Sequence, residues 1–227
     1  MCSRYSLTSP PEAVRSYFKH VNVADFPPRY NIAPTQPVAI VRVGLRGEIE
    51  LELVRWGLIP PWVKDPRTFT TLINARSESA LEKPSFRGAM RHHRCLVPAD
   101  GFYEWVGPPR AKRPHLIRPK SGGPIAFAGL WSHWLGADGS EIETMAILTV
   151  AANTLVSTVH DRMPVLLAPD QFATWLDTQT IDGPVAAKLL RPAAEVLLEI
   201  IEIDPRINNS RNEGADLQRP VATGRLL

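Results

Sequence analysis

The sequence predicts a strand-rich α+β fold, in which helices flank a curved, barrel-like sheet of antiparallel and mixed strands. Proline supplies 22 of the 227 residues, which excludes a bundle of long helices and favours short strands and defined turns. Several segments alternate polar with apolar residues, as strands with one solvent-facing side do. The apolar share of 44% is that of a chain that buries a core, and we expect residues 1–227 to form one domain.

The helices are predicted from their start signals. The first begins at a serine cap, Ser9, is supported by Glu12 three residues later, and ends before Pro27. Its apolar stripe ends at Val21. Two shorter helices that follow proline starts are expected over residues 169–176 and 184–190.

The strands are predicted from runs of β-branched residues and from alternation. The clearest alternation covers residues 48–53, directly after a glycine-bounded turn. Residues 107–120 contain four prolines and five basic residues, and we expect a hairpin connection whose charges face solvent. The other expected strands cover residues 38–43, 94–98, 102–106, 114–118, 125–131, 143–151 and 196–203.

Cysteine content and charge restrict the function classes. Two cysteines cannot build a disulfide scaffold or, by themselves, a thiolate metal site, and Cys95 alternates like a core residue of a strand. The net charge of +3 is compatible with nucleic-acid binding without arguing for it. Zinc-peptidase, phosphate-loop and serine-hydrolase motifs are missing from the sequence, so we expect no metal and no cofactor. Since no apolar run has the ~18 residues of a membrane span and no secretion signal is recognisable, we expect a cytoplasmic protein.

Cys2 stands where its own backbone nitrogen can become reactive. Removal of the initiator Met1 would leave a free α-amine, with a pKa of about 7.7–8.0, beside a thiol with a pKa of about 8.5. Such an aminothiol condenses with an aldehyde to a Schiff base, which the thiol closes into a five-membered thiazolidine ring. The same thiol could attack an acyl carbon, as in cysteine hydrolases. A cysteine without function is the third alternative at this position.

Three further segments carry side chains suited to chemistry. Asn74 and Arg76 are two residues apart, so on a strand they face the same way. Glu104 lies in an aromatic strand, where desolvation would raise its pKa and favour acid–base work, although the solvent side of the strand is an equal alternative. His160 follows a long apolar strand and is the best candidate for proton transfer among the six histidines, with a structural role as the alternative.

Ordered blocks along nearly the whole chain carry a family resemblance. They are Met1-Cys2-Ser3-Arg4-Tyr5, Arg29-Tyr30-Asn31-Ile32-Ala33-Pro34, Trp56-Gly57-Leu58-Ile59-Pro60, Asn74-Ala75-Arg76, and residues 95–105, 127–131, 160–164 and 211–214. Together these blocks resemble the SOS response-associated peptidase (SRAP) family, whose members shield abasic sites in single-stranded DNA.

The resemblance implies that Cys2, once Met1 is removed, crosslinks to the aldehyde of a ring-opened abasic site as a thiazolidine. Asn74 matches the asparagine that hydrogen-bonds beside the cysteine. Glu104 matches the acid–base residue near the α-amine, and His160 the histidine that transfers protons in ring opening and in reversal. The Schiff-base intermediate also implies lyase activity. The resemblance thus implies an enzyme of the DNA damage response.

The resemblance further implies a DNA-binding groove. The residues that match its DNA-contacting positions are Arg4, Asn31, Pro34, Arg76, Trp105 and Arg162. Arginine suits phosphate through charge and bidentate geometry, and binding through phosphates predicts tolerance of sequence and strong salt dependence. The expected partner is single-stranded DNA with abasic sites. We expect no membrane partner, a monomer, and association with the nucleoid if the protein is bacterial.

Two positions depart from the family pattern. Ser3 stands where glycine is usual, so it adds a side chain beside Cys2 and raises the question of whether its φ is forced into a glycine-only region. Val63 follows Trp62 where some members carry a second aromatic residue, which predicts weaker stacking on DNA bases.

A cysteine peptidase is the rival hypothesis. It would use Cys2 as nucleophile, His160 as base and Asn74 as orienting or oxyanion group, acting on a peptide or on Met1 itself. A DNA-binding module without catalysis is the third hypothesis. The aldehyde crosslinker is preferred because an N-terminal aminothiol suits an aldehyde better than an amide.

Overall fold

A computed structural model describes residues 2–108 and 110–221. Its five α-helices are α1 (Pro11–Phe18), α2 (Arg87–His92), α3 (Thr154–Ser157), α4 (Phe172–Leu176) and α5 (Gly183–Ala187). The strands are β1 (Tyr5–Leu7), β2 (Arg29–Ile32), β3 (Pro37–Val43), β4 (Ile49–Trp56), β5 (Asn74–Arg76), β6 (Arg94–Ala99), β7 (Gly101–Val106), β8 (Arg113–Pro119), β9 (Ile125–Leu135), β10 (Glu141–Ala151), β11 (Arg162–Pro164), β12 (Leu166–Leu167) and β13 (Leu198–Glu202). No helix in the described part of the chain is long and apolar enough to cross a membrane.

Five strands close into a barrel. The order β10–β4–β3–β6–β9 is hydrogen-bonded throughout, and β9 pairs back onto β10 from Leu135↔Glu141 to Gly129↔Ile147. β10 and β4 are parallel, whereas the other barrel pairs are antiparallel. Strands β5, β11 and β12 extend this sheet. The predicted strand-rich α+β class and its barrel-like mixed sheet are therefore confirmed.

A second, antiparallel sheet packs against the barrel. Its strand order is β13–β8–β7–β1–β2. Tyr5 on β1 and Phe102 on β7 meet Phe127 of the barrel edge to face, with ring centroids 5.8 and 6.1 Å apart. Tyr5 also lies 5.2 Å from the ring of the buried Trp56. These rings fix the strands that carry the N-terminal residues against the core.

The prediction that Ser9 caps the first helix is wrong. Pro10 is the N-cap residue and no side chain caps α1. Ser9 Oγ instead donates to Asp100 Oδ1 at 2.6 Å, and the Ser9 N–H donates to the other oxygen of that carboxylate. The serine hydroxyl is therefore not available to cap the helix. The helix stops at Lys19, which has a left-handed φ of 60°, so Val21 lies outside it and is 47% exposed.

The seven other sequence-predicted strands and the strand predicted over residues 48–53 are all present, with ends that shift by a few residues. The expected helix over residues 169–176 is a 3₁₀ turn followed by α4, and α5 replaces the one over 184–190. β7 and β8 pair antiparallel, as the expected hairpin requires, and Pro109 in their connection lies outside the described residues. The short strands β1, β2, β5, β11 and β12 were not predicted, because two to four residues are too few to show a period.

Candidate active site

Cys2 is fully buried just before β1. Asn74, the first residue of β5, donates from Nδ2 to the Cys2 carbonyl at 2.7 Å. The pairing of β5 with β10, with Asn74 opposite Ile147, places that amide at the N-terminal segment. Asn74 Oδ1 is buried and has no hydrogen-bond partner within the described residues. The fold thus brings the predicted site residues Cys2 and Asn74 together. It also leaves Asn74 Oδ1 able to accept a hydrogen bond from a bound molecule.

Glu104 lies on β7, the strand that pairs with β1. Its side chain is on the buried side of the strand, with 3% of the residue exposed. Because burial disfavours the charged form, the pKa of Glu104 is raised to about 7. Its Oε2 lies 4.0 Å from Nε2 of His160. A carboxyl group that changes protonation near neutral pH can both accept and donate a proton.

His160 stands in the turn between α3 and β11, where its N–H donates to the carbonyl of Val156 at 3.0 Å. The backbone N–H of Arg162 donates to Nδ1 at 2.9 Å. Because Nδ1 accepts this bond, the neutral tautomer with its proton on Nε2, on the side of Glu104, is favoured. Asp161 Oδ1 is also 2.9 Å from Nδ1, but that carboxylate is 87% exposed, so solvent screens its charge. Burial lowers the pKa of His160, so the neutral form is favoured.

The Cys2 thiol is held in its protonated form. Burial, and after it the charge of Glu104, raise the pKa of the thiol. Sγ lies 3.9 Å from the carbonyl oxygen of Arg4, to which the thiol donates. The site therefore combines a neutral thiol with a carboxyl and an imidazole that can move protons.

Two of the predicted phosphate contacts flank this site. Arg76 ends β5 and is exposed. Arg162 begins β11, and both of its Nη atoms bind the carboxylate of Glu78, at 2.6 and 2.9 Å. Arg162 Nη2 also donates to the Thr149 carbonyl at 2.6 Å. This bidentate pair, which lowers the pKa of Glu78, holds the guanidinium in one orientation.

Three other predicted DNA contacts converge on the C-terminal strap, by which we mean residues 205–218. Arg4 Nη1 donates to Asn31 Oδ1 at 2.5 Å and to the Ile207 carbonyl at 3.2 Å. Trp105 Nε1 donates to Asn208 Oδ1 at 2.6 Å, and the Arg4 guanidinium lies 5.7 Å from the Trp105 ring centroid.

The side chain of Asn31, another of the predicted DNA contacts, binds the strap in this structure. Asn31 is fully buried, and its Nδ2 donates to the strap carbonyls of Ile207, Asn209 and Asn212 at 3.2, 3.0 and 2.9 Å. Both polar atoms of the side-chain amide are hydrogen-bonded within the protein, and neither is exposed to solvent. Pro34 is half-buried in the turn between β2 and β3.

Comparison with known proteins identifies the family. The family model described as SOS response associated peptidase (SRAP) matches residues 1–210. The chain belongs to the SRAP family. Among its SRAP relatives, the "Abasic site processing protein YoqW" of Bacillus subtilis (strain 168) is 36% identical over 222 residues, which cover 96% of this chain and 98% of the relative. The "Abasic site processing protein YedK" of Escherichia coli (strain K12) is 33% identical, over 85% of each chain.

Solved structures share this SRAP fold. A protein from Bacteroides thetaiotaomicron matches with a TM-score of 0.86 and 26% identity, over 97% of this chain and 100% of that one. A protein from Bordetella bronchiseptica matches with a TM-score of 0.78 and 29% identity, over 89% of this chain and 100% of that one.

The two departures from the SRAP pattern have structural outcomes. Ser3 is not among the described non-glycine residues with positive φ, so its side chain is accommodated without a left-handed backbone. Val63 is buried beside Trp134, whose Nε1 donates to the Val63 carbonyl at 2.6 Å. Trp62 is 57% exposed and meets Phe69 edge to face at 5.7 Å. The aromatic partner of Trp62 is thus Phe69, which sequence adjacency did not indicate.

Glu78 and the strap were missed because their partners lie far away in the sequence. Glu78 meets Arg162 across 84 positions, and Asn31 meets Asn212 across 181. The only sequence signals were that Glu78 follows Arg76 by two residues and that the strap contains one of the family blocks. Among the described residues, no three His, Cys, Asp or Glu side chains are grouped so that they could hold a metal ion.

Proposed function

We propose that this protein processes abasic sites in single-stranded DNA by forming a thiazolidine crosslink through Cys2, after removal of Met1. The observation that carries the proposal is the hydrogen bond of 2.7 Å from Asn74 to the Cys2 carbonyl, beside a Glu104–His160 pair with an oxygen–nitrogen distance of 4.0 Å. The names of the SRAP relatives support an abasic site as the substrate.

The proposed reaction needs no redox partner. The α-amine of Cys2 adds to the aldehyde carbon, and the carbinolamine loses one water to form a C=N bond. The thiol then adds across this bond: a C–S bond forms, and the thiol proton moves to the nitrogen. The net change is one crosslink and one released water. β-Elimination from the C=N intermediate accounts for lyase activity.

Each site residue has a proposed part in these steps. Glu104, with its pKa of about 7, takes a proton from the α-ammonium and returns one to the departing hydroxyl group. His160 supplies a proton from Nε2 for ring opening. Asn74 fixes the position of Cys2 through Nδ2, and its free Oδ1 accepts from a hydroxyl group of the sugar.

DNA binding is proposed to use the arginines beside the site. Arg76 is exposed, and Arg162 is held by Glu78 with 13% of its side chain exposed. Phosphate contacts by these groups orient the strand without reading its sequence. We propose that Pro34, Trp105 and Arg4 contact the DNA next to these arginines. Trp105 is half-buried, and the edge of its ring would contact the DNA strand.

The test uses the purified protein and single-stranded DNA with one abasic site. We expect an adduct that survives denaturing electrophoresis and an intact mass without Met1. Cys2→Ala abolishes the stable adduct, whereas Cys95→Ala, which removes the other buried free thiol, retains it. A stable adduct of unchanged yield with Cys2→Ala, or a retained Met1 in the active protein, contradicts the proposal.

The peptidase hypothesis has weaker support from the electrostatics of the site. A cysteine peptidase attacks through a thiolate, whereas burial and Glu104 raise the pKa of the Cys2 thiol. Turnover of a peptide library by the wild-type protein, lost in Cys2→Ala, would favour that hypothesis instead.

A further inference from the structure

The C-terminal strap is tied to the same strands that carry the proposed site, and it is not itself part of any step described above. We infer that the strap, through Asn31, positions Arg4 and thereby sets Cys2 against Glu104. Asn31 is thus a positioning residue for the reaction instead of a DNA contact. The inference rests on the proposed function.

Arg4 joins the strap to the site through both its main chain and its side chain. Its carbonyl oxygen accepts from the Cys2 thiol at 3.9 Å and from the Tyr103 N–H at 3.0 Å. Tyr103 directly precedes Glu104 on β7, so one carbonyl fixes the register between the nucleophile and the acid–base group. The Arg4 guanidinium points to Asn31 and Ile207 instead. A shift of the guanidinium is therefore transmitted within two residues to Cys2.

Asn31 holds the far end of this connection. Its Oδ1 accepts from Arg4, while its Nδ2 donates to three strap carbonyls. Since the amide is fully buried, each lost bond would leave a buried polar atom unsatisfied. Arg4 can keep its orientation only while the strap lies in place.

The strap has its own apolar anchor on the same two strands. Ile207 and Leu217 are buried against Tyr103 in a small cluster separate from the main core. The Tyr103 hydroxyl donates to the Tyr30 carbonyl and accepts from Gln218 Nε2, both at 2.6 Å. Along β7, Glu104 therefore faces the site and Tyr103 faces the strap. The strap packs on the back of the strand that presents the acid–base group.

The experiment uses the full chain with Asn31→Asp, which keeps an oxygen for Arg4 and removes the amide donors to the strap. Asn22→Asp is the matched control, because Asn22 Nδ2 donates to the Leu51 carbonyl at 2.7 Å and so ties another loop to a strand. Trp105→Phe is the milder second variant, since it removes only the Nε1 bond to Asn208 and keeps a ring beside Arg4. Three quantities are measured: the crosslinking rate at saturating abasic DNA, the rate of thiazolidine formation with free propionaldehyde, and the affinity for undamaged single-stranded DNA.

We expect Asn31→Asp to lower both rates by about tenfold to a hundredfold. Its affinity for undamaged DNA falls by a smaller factor, because Arg4 is also a proposed DNA contact. Trp105→Phe lowers both rates by a smaller factor, and Asn22→Asp leaves them unchanged. Unchanged rates in a folded Asn31→Asp protein, or a loss confined to DNA affinity, overturn the inference. If the wild type forms no adduct, the proposed function fails instead, and hydrogen exchange of residues 2–6 in the variants still decides whether the strap orders the N-terminal segment.

Discussion

Oε2 of Glu104 lies 4.0 Å from Nε2 of His160. A backbone N–H donates to Nδ1 of this imidazole, which favours a neutral ring with its proton on Nε2. The two groups shift in opposite directions from their ordinary pKa values for one reason. Burial disfavours charge, so it raises the pKa of the carboxyl and lowers that of the imidazole. Both groups can therefore be neutral close to pH 7, where each can still exchange a proton.

Glu104→Gln is expected to flatten the dependence of stability on pH. A carboxyl with a pKa of about 4.3 in the unfolded chain and about 7 in the native protein binds more protons when folded, so stability falls as pH rises between these values. The variant lacks this pH dependence. Its free energy of unfolding, relative to that of the wild type, therefore rises by up to about 3 kcal/mol from pH 4 to pH 8. Urea unfolding of both proteins at several pH values measures this difference. Parallel stability curves would contradict the raised pKa.

His160→Gln is expected to slow crosslinking by about a hundredfold, because the amide cannot transfer a proton as the imidazole does. Reversal of the crosslink slows as well, since the same proton must move back. His133→Gln is the matched control, because His133 Nε2 lies 3.1 Å from Glu141 in a similar histidine–glutamate pair on the surface. The rates are followed by denaturing electrophoresis, and added imidazole should partly restore the rate of His160→Gln. Equal rates for the two variants would exclude His160 from proton transfer.

Arg162→Gln is expected to weaken binding of single-stranded DNA of every sequence to a similar extent. Because one phosphate contact is lost, the slope of log K against log salt becomes less steep by about 0.7. Arg118→Gln serves as the control, since Arg118 also pairs with a glutamate, Glu199, at 2.8 Å, but on β8. Fluorescence anisotropy at several salt concentrations gives both slopes. A sequence-dependent loss, or an unchanged slope, would remove Arg162 from the phosphate contacts.

Arg94→Met is expected to destabilise the fold by about 3 kcal/mol or more. The Arg94 guanidinium is buried and donates to carbonyls of α2, α4 and the following loop, among them those of Met90 at 3.0 Å and Trp175 at 2.6 Å. Methionine fills similar volume but leaves these acceptors without donors. Thermal unfolding measures the loss, and Arg191→Met, at an exposed arginine, should stay within about 0.5 kcal/mol of the wild type. A stable Arg94→Met protein would show that water can replace the guanidinium.

The sequence by itself determined the strand-rich class, most of the long strands and the candidates Cys2, Asn74, Glu104 and His160. Alternation and proline content are local signals, and they report which backbone conformations each segment can adopt. The burial of Cys95 was predictable for the same reason, because its strand alternates. The side of the strand on which Glu104 lies could not be predicted from the sequence, since either side is compatible with the local pattern.

Only the tertiary structure decided the closure of the barrel, the pairing of Arg162 with Glu78 and the burial of Asn31. Each depends on contacts between segments far apart in sequence, whose energy appears only when the chain is folded. Asn31 shows this most clearly: an asparagine near an exposed turn suggests a polar surface, but the strap covers it and takes up its whole amide. A residue type indicates the bonds that a side chain can make, while the fold determines which partners it meets.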